Sequence, residues 1–151
     1  MIHIGIDPGK SGGYALIVES ETGRGVFAYQ WDDDLFAVEM NAAAAASHGD
    51  IMACVEKVGA MPGQGVSSMF SFGKSAGYIE GVLKALGIPY QLIPPRKWKG
   101  EFGLNGSKDK SIEVCRRLFP DVNLRASSRC RKDSDGMAEA LLMAEYARRK
   151  L

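Results

Sequence analysis

The sequence is poor in the features that would make a small secreted or membrane protein. It has only three cysteines, Cys54, Cys115 and Cys130, in 151 residues. An odd number at wide spacing is no disulfide framework, and Cys115 and Cys130 lack the CxxC partners of a zinc site. Reduced thiols in a cytoplasmic compartment are expected instead. No apolar run reaches the roughly 18 residues of a membrane-spanning helix. The opening MIHIGIDPGK has neither a basic leader nor a long apolar stretch, so no secretory signal is expected. Internal repeats are absent, and no linker is long enough to divide the chain. Hydrophobic residues make up 46% and charged residues 25%, which excludes disordered and collagen-like chains. One domain over residues 1–151 is expected.

The net charge of +1 conceals an asymmetry. Residues 1–93 carry a net −5 and residues 94–151 a net +6. A basic second half points to a surface that meets a polyanion, or to a solvated helix face.

The first 30 residues read as three strands. Ile2, Ile4 and Ile6 alternate with His3 and Gly5, and Asp7-Pro8-Gly9 makes a turn. Residues 12–19 and 25–31 follow, joined by Glu21-Thr22-Gly23. Asp32, Asp33 and Asp34 suit the start of a helix that runs to about His48. A strand from Ile51 ends at Glu56. A loop over 57–66 leads to a helix capped by Ser67 or Ser68, which ends near Leu86 with Gly87 as its stop. Tyr90–Ile93 is a fifth strand, halted by Pro94-Pro95. Residues 94–106 read as a basic, aromatic connector, 107–119 as a helix and 121–132 as a polar, basic loop. A last helix starts at Asp133 or Ser134. The order predicts an α/β fold, a three-stranded antiparallel meander plus two further strands in one mixed five-stranded sheet flanked by helices.

Two phosphate-loop look-alikes fail. Gly9-Lys10-Ser11 needs a glycine where Ile4 stands and must open a helix, whereas GGYALIV reads as a strand. Gly73-Lys74-Ser75 would need a glycine at Ser68.

The acidic residues are more telling. Asp7 and Glu56 end strands, and Asp135 and Glu139 lie four apart on one helix face. Each has an ordinary reading as a turn, strand-end or helix-start residue. If the first and fourth strands are neighbours and the last helix crosses the sheet, the four carboxylates converge. Their mutual repulsion would call for divalent cations, with Mg2+ suiting carboxylate oxygens. Gly136, costly inside a helix, marks a close backbone approach.

The segments IGIDPGKSGGYALI, VEKVGAMPGQGVSSMFSFGKSAGYIEG, PPRKWKGEFGL and DSDGMAEALLMAEYA together resemble RuvC-type Holliday junction resolvases, most of all the phage and prophage branch. The resemblance runs from about Ile2 to Tyr146. It implies an RNase H-like fold and a metal-dependent endonuclease that nicks four-way DNA junctions as a homodimer, with no membrane partner, in a bacterial or phage-infected cytoplasm. It assigns Asp7, Glu56, Asp135 and Glu139 to two Mg2+ ions, for which Mn2+ would substitute. It also makes Lys108 and Lys110 catalytic candidates. Lys97, Lys99, Lys108, Lys110 and Met61 are the expected DNA contacts. The family's last two acids usually stand three apart rather than four, so Asp133 is an alternative to Asp135. The family's wedge aromatic falls at Gly59, which leaves Met61, Met69 or Phe70 for that role. Trp98 reads as a core anchor before a base-stacking residue. The apolar width of the 67–86 helix suggests a subunit interface, with Phe70 in the core or at that interface. Competing expectations are a broader fork and flap endonuclease, a non-catalytic DNA-binding protein, and an actin-like nucleotide-binding fold, for which the chain is too short.

Overall fold

The computed structural model describes the chain except for residues 60–62, 64 and 105–107, and except for the side chains of Lys108 and Asp109. Five strands form one sheet: β1 (Ile2–Asp7), β2 (Gly13–Ser20), β3 (Gly23–Gln30), β4 (Ile51–Glu56) and β5 (Tyr90–Ile93). The spatial order is β3-β2-β1-β4-β5. β1 pairs antiparallel with β2, and β2 with β3. β4 lies parallel to β1 and β5 parallel to β4. Five helices join them: α1 (Asp33–Ser47), α2 (Val66–Ala85), α3 (Pro95–Glu101), α4 (Lys108–Leu118) and α5 (Asp135–Lys150). The expected mixed sheet is therefore present, with the first and fourth strands side by side.

The pleat sends alternate residues of β1 to opposite faces. Ile2, Ile4 and Ile6 pack with Phe36 and Met40 of α1 and Ile79 and Leu83 of α2. The other face carries Ala15, Ile17, Cys54 and Ile93 against Trp98, Cys115 and nearly the whole length of α5. β1 is thus covered on both faces, and Ile2 to Ile6 are all buried, His3 and Gly5 included. Cys54 and Cys115 are buried free thiols, each pushed up to about 12 by burial.

Local chemistry sets most helix ends. The Asp32 side chain accepts from the Leu35 amide at 2.9 Å, and Asp33 and Asp34 occupy the first turn of α1. His48 closes that helix in the left-handed region at φ 50°. For α2 the serine cap is not found. The helix begins at Val66 with Gly65 as its N-cap and no side-chain cap bond, so Ser67 and Ser68 fall within the first turn. The expected connector after β5 holds a helix as well. Pro95 sits at the first position of α3, where a fixed φ and a missing N–H cost nothing.

The tightest packing is between α5 and the β1–β2 hairpin, and it depends on glycine. A Cβ on Gly5 would collide with the Ala140 carbonyl and the Ala144 amide of α5. On Gly136 it would meet the Ser11 carbonyl and, at 2.7 Å, the Gly12 Cα. This is the close approach that a glycine inside the last helix announced. Gly5→Ala should cost about 3 kcal/mol or more, since backbone on both sides must move. Gly77→Ala, on a stretch of α2 where nothing lies within 4 Å of the new methyl, should stabilise by about 0.5–1 kcal/mol. Urea unfolding of the two variants checks both signs.

Candidate active site

Asp7 and Glu56 end adjacent parallel strands. Ile6 pairs with Val55, so the two acids are the next residues along their strands. Pleat alternation turns both toward the face covered by α5, with Gly5 and Cys54 two residues earlier on the same side. The N-terminus of α5 comes to this spot through a chain of polar contacts. The Ser134 side chain caps α5 by accepting from the Met137 amide at 3.3 Å and donates its own proton to Gln30 Oε1 at 2.6 Å. Gln30 Nε2 in turn donates to the Gly12 carbonyl at 2.7 Å. Asp135 thereby stands at the first turn of α5 and Glu139 one turn further.

The electrostatics show that the acids share one field. The Asp7 carboxyl is pushed up to about 8, first by burial and then by the charges of Glu56 and Glu139, with a further contribution from Asp135. Lys99 opposes this shift. Glu56 is raised too, chiefly by burial, against the pull of Trp98 and Lys99. All four sequence-predicted acids thus act together at one end of the sheet.

Residues that the acidic pattern did not mark complete the site. The indole of Trp98, itself fully buried, donates to Glu56 Oε2 at 2.8 Å. Trp98 is the expected core anchor and also fixes one site carboxylate. Lys99 Nζ lies 3.0 Å from Glu139 Oε1 and 5.0 Å from the centre of the Trp98 ring. It therefore faces the acids, whereas the sequence placed it along a DNA path. Ser111 Oγ donates to the same Glu139 oxygen at 3.1 Å.

The remaining expectations divide. Asp133 is held by Arg116, whose guanidinium reaches both carboxylate oxygens at 2.8–2.9 Å. It is absent from the charges that raise Asp7. Lys97 on α3 and Lys110 on α4 are exposed. Lys108 heads α4, but its side chain and all of Met61 lie outside the described residues. Gly59 is exposed. Phe70 is 75% exposed and so is not core. A cavity of about 800 Å3 beside α2, lined by Lys10, Trp31, Ser71 and Lys74 among others, contains none of the four acids. The acidic cluster lies instead at the strand ends, with all four carboxylate residues half-buried.

The donor set is all hard oxygen, fitting Mg2+ or Mn2+. Among the described residues no three His, Cys, Asp or Glu side chains are drawn close enough to hold an ion as they stand. The repulsion gathered on Asp7 is what a cation would offset, so the residues fit such an ion in chemistry.

A pH dependence follows. The fold favours protonated Asp7, because its carboxyl titrates near 8 in the protein against an ordinary value of 3.8. The stability linked to this group is complete below about pH 4 and is lost as the pH rises through 8. Asp7→Asn should therefore gain stability over the wild type in EDTA, the gain growing from pH 4 to pH 8. Urea titrations across that range would show it; a constant difference would contradict it.

No protein-family model matches the chain. Over 91 residues it is 35% identical to the chloroplastic Holliday junction resolvase MOC1 of Chlamydomonas reinhardtii, a match covering 58% of this chain and 10% of that protein. RuvC of Thermus thermophilus superposes with a TM-score of 0.56 at 19% identity, covering 99% of this chain and 96% of RuvC. The same enzyme in complex with a Holliday junction substrate gives 0.57 at 16% identity, covering 99% and 97%. Among the described residues no helix is long and apolar enough to cross a membrane. The resemblance read from the sequence is thus met in both fold and sequence: the chain has the RuvC fold, and the relative it matches is a Holliday junction resolvase.

Proposed function

We propose that this chain is a divalent-metal-dependent endonuclease that resolves four-way DNA junctions by paired nicks. The observation that carries the reading is the placement of Asp7 and Glu56 at the ends of neighbouring parallel strands, within the electrostatic reach of Glu139 and Asp135 on α5, so that like charges repel. A fold has little reason to keep such repulsion unless a cation and a phosphate arrive to use it. Asp7, Glu56, Asp135 and Glu139 would hold two Mg2+ ions, with Mn2+ a substitute. The bound ions would supply the Lewis acidity for hydrolysing a phosphodiester.

The chain's own groups do the rest. Trp98 holds one oxygen of Glu56, leaving the other for a cation. Lys99 and Ser111 both hold Oε1 of Glu139 and so orient that side chain. Lys99 also tempers the negative field of the acids. Lys97 and Lys110, both exposed, and Lys108 would meet phosphates, with Lys108 and Lys110 near enough in sequence to Ser111 to act on the reacting strand. Such contacts give affinity without sequence preference.

Junction binding would require two sites related by a two-fold axis, as a homodimer supplies. Phe70 and Val66, 75% and 82% exposed on α2, are the most exposed large apolar residues described and offer a surface for it.

With Mg2+, the wild type should nick a synthetic four-way junction at symmetric positions, in preference to linear duplex, fork and flap. Asp7→Asn should bind the junction but cut at least about 1000-fold more slowly, a loss of about 4 kcal/mol, and Mg2+ should raise the melting temperature of the wild type alone. Equal cutting of forks and flaps would support the broader nuclease, and binding without cutting would leave a DNA-binding protein. Phe70→Asp should leave circular dichroism unchanged and convert the dimer to monomer by sedimentation; a wild type that stays monomeric on the junction yet makes paired nicks would refute the dimer.

A further inference from the structure

Between α4 and α5 the chain makes a long excursion that the acidic site does not use. Its base is closed twice. The Ser134 amide donates to the carbonyl of Leu124, a fully buried residue, at 2.7 Å. Arg116 spans the same neck, donating to the Val122 carbonyl at 2.6 Å while its fork grips Asp133. At the tip, the Cys130 amide donates to the Ser127 carbonyl at 3.0 Å. The loop is thus an ordered projection with a rigid base.

Its charge is one-sided. Arg125, Arg129, Arg131 and Lys132 are all exposed, and no acid occurs between Val122 and Lys132. Among the described residues none of these four cations forms an ion pair. The contrast lies within the same chain: Arg24, Arg148 and Arg149 converge on Glu145, and Arg116 is committed to Asp133. Cations brought together on a tethered loop repel one another, and a polyanion relieves that repulsion. Three of the four are arginines, whose planar fork matches phosphate oxygens.

Position supplies the rest. Lys132 precedes Asp135 by three residues, which limits their separation to about 11 Å, and Arg129 can be no more than about 22 Å away. Asp135 acts electrostatically on Asp7. A strand of duplex DNA presents a phosphate about every 3.4 Å of axis. The loop therefore lies within about six phosphate spacings of the acidic cluster.

We infer that the 125–132 loop is a second DNA-backbone contact, gripping the duplex arm beside the phosphate that is cut, with the Arg116–Asp133 clamp holding its base. This rests on the nuclease reading and adds a surface to it, separate from α3 and the start of α4.

The test is equilibrium binding of the full chain to a four-way junction in EDTA, from 50 to 300 mM KCl. The quadruple variant Arg125→Gln, Arg129→Gln, Arg131→Gln, Lys132→Gln should raise Kd at least tenfold near 100 mM salt. It should also lower the slope of log K against log salt by about 3 to 4, near 0.9 for each phosphate no longer held. Its melting temperature should stay with the wild type; should it fall, the double variant Arg129→Gln, Arg131→Gln decides, with half that decrease in slope expected. Unchanged affinity and slope in a folded variant, beside a wild type that binds, would overturn the loop's role. A wild type that does not bind the junction would instead overturn the nuclease reading.

Discussion

Everything at the candidate site depends on how closely α5 can lie on the β1–β2 hairpin. Helices usually ride on sheets at a distance set by side chains. Here Gly5 lets the Ala140 to Ala144 backbone settle against β1, and Gly136 lets the start of α5 settle against the Ser11–Gly12 turn. Gly13 extends the same contact, since a Cβ there would stand 2.5 Å from the Tyr29 carbonyl and 3.2 Å from the Met137 Cα. One extra carbon at these points would lift the helix and carry Asp135 and Glu139 away from Asp7. Backbone contact, being stiff, places carboxylates more surely than loops do.

That placement works against stability. Four carboxylates in one field, one of them pushed up to about 8, oppose folding at neutral pH. The opposition is tolerated because the rest of the molecule is strongly tied. Two apolar layers sandwich the sheet. At the far end of α5, buried Glu145 accepts from Arg148 at 2.7 and 2.8 Å, from Arg149 at 2.7 Å and from Arg24 at 3.2 Å. Burial opposes ionisation of Glu145, yet Arg148 and Arg149 hold its pKa below the usual value. The same helix is therefore anchored by buried Glu145 and its three arginines at one end, and at the other brings Asp135 and Glu139 into the field on Asp7. Local repulsion of this kind is characteristic of sites built to bind something charged.

The architecture was legible where local rules govern. The isoleucine alternation of β1, the Asp32 cap and the order of elements lead to the observed sheet. Asp7 and Glu56 were legible because a strand end is visible as an interrupted pattern, and Asp135 and Glu139 because helical spacing sets them on one face. Trp98 and Ser111 as partners of the acids were not, since their bonds join residues 42 and 28 positions apart. Lys99 read as one of several basic residues, because nothing local distinguishes a lysine facing carboxylates from one facing solvent. The grip of Arg116 on Asp133 was equally hidden, since that contact joins residues 17 positions apart. Helix α3 was hidden by a double proline that reads as a stop, although its second proline opens a helix.

The central claim is that burial, and after it the neighbouring carboxylates, hold Asp7 protonated, and that the proposed divalent cation would reverse this. Carbon NMR of the Asp7 carboxyl, titrated in EDTA and again in magnesium, measures this directly. The account predicts a titration near pH 8 without the cation and a fall of several units with it. A titration near 4 in EDTA, or a midpoint that magnesium does not move, would contradict it.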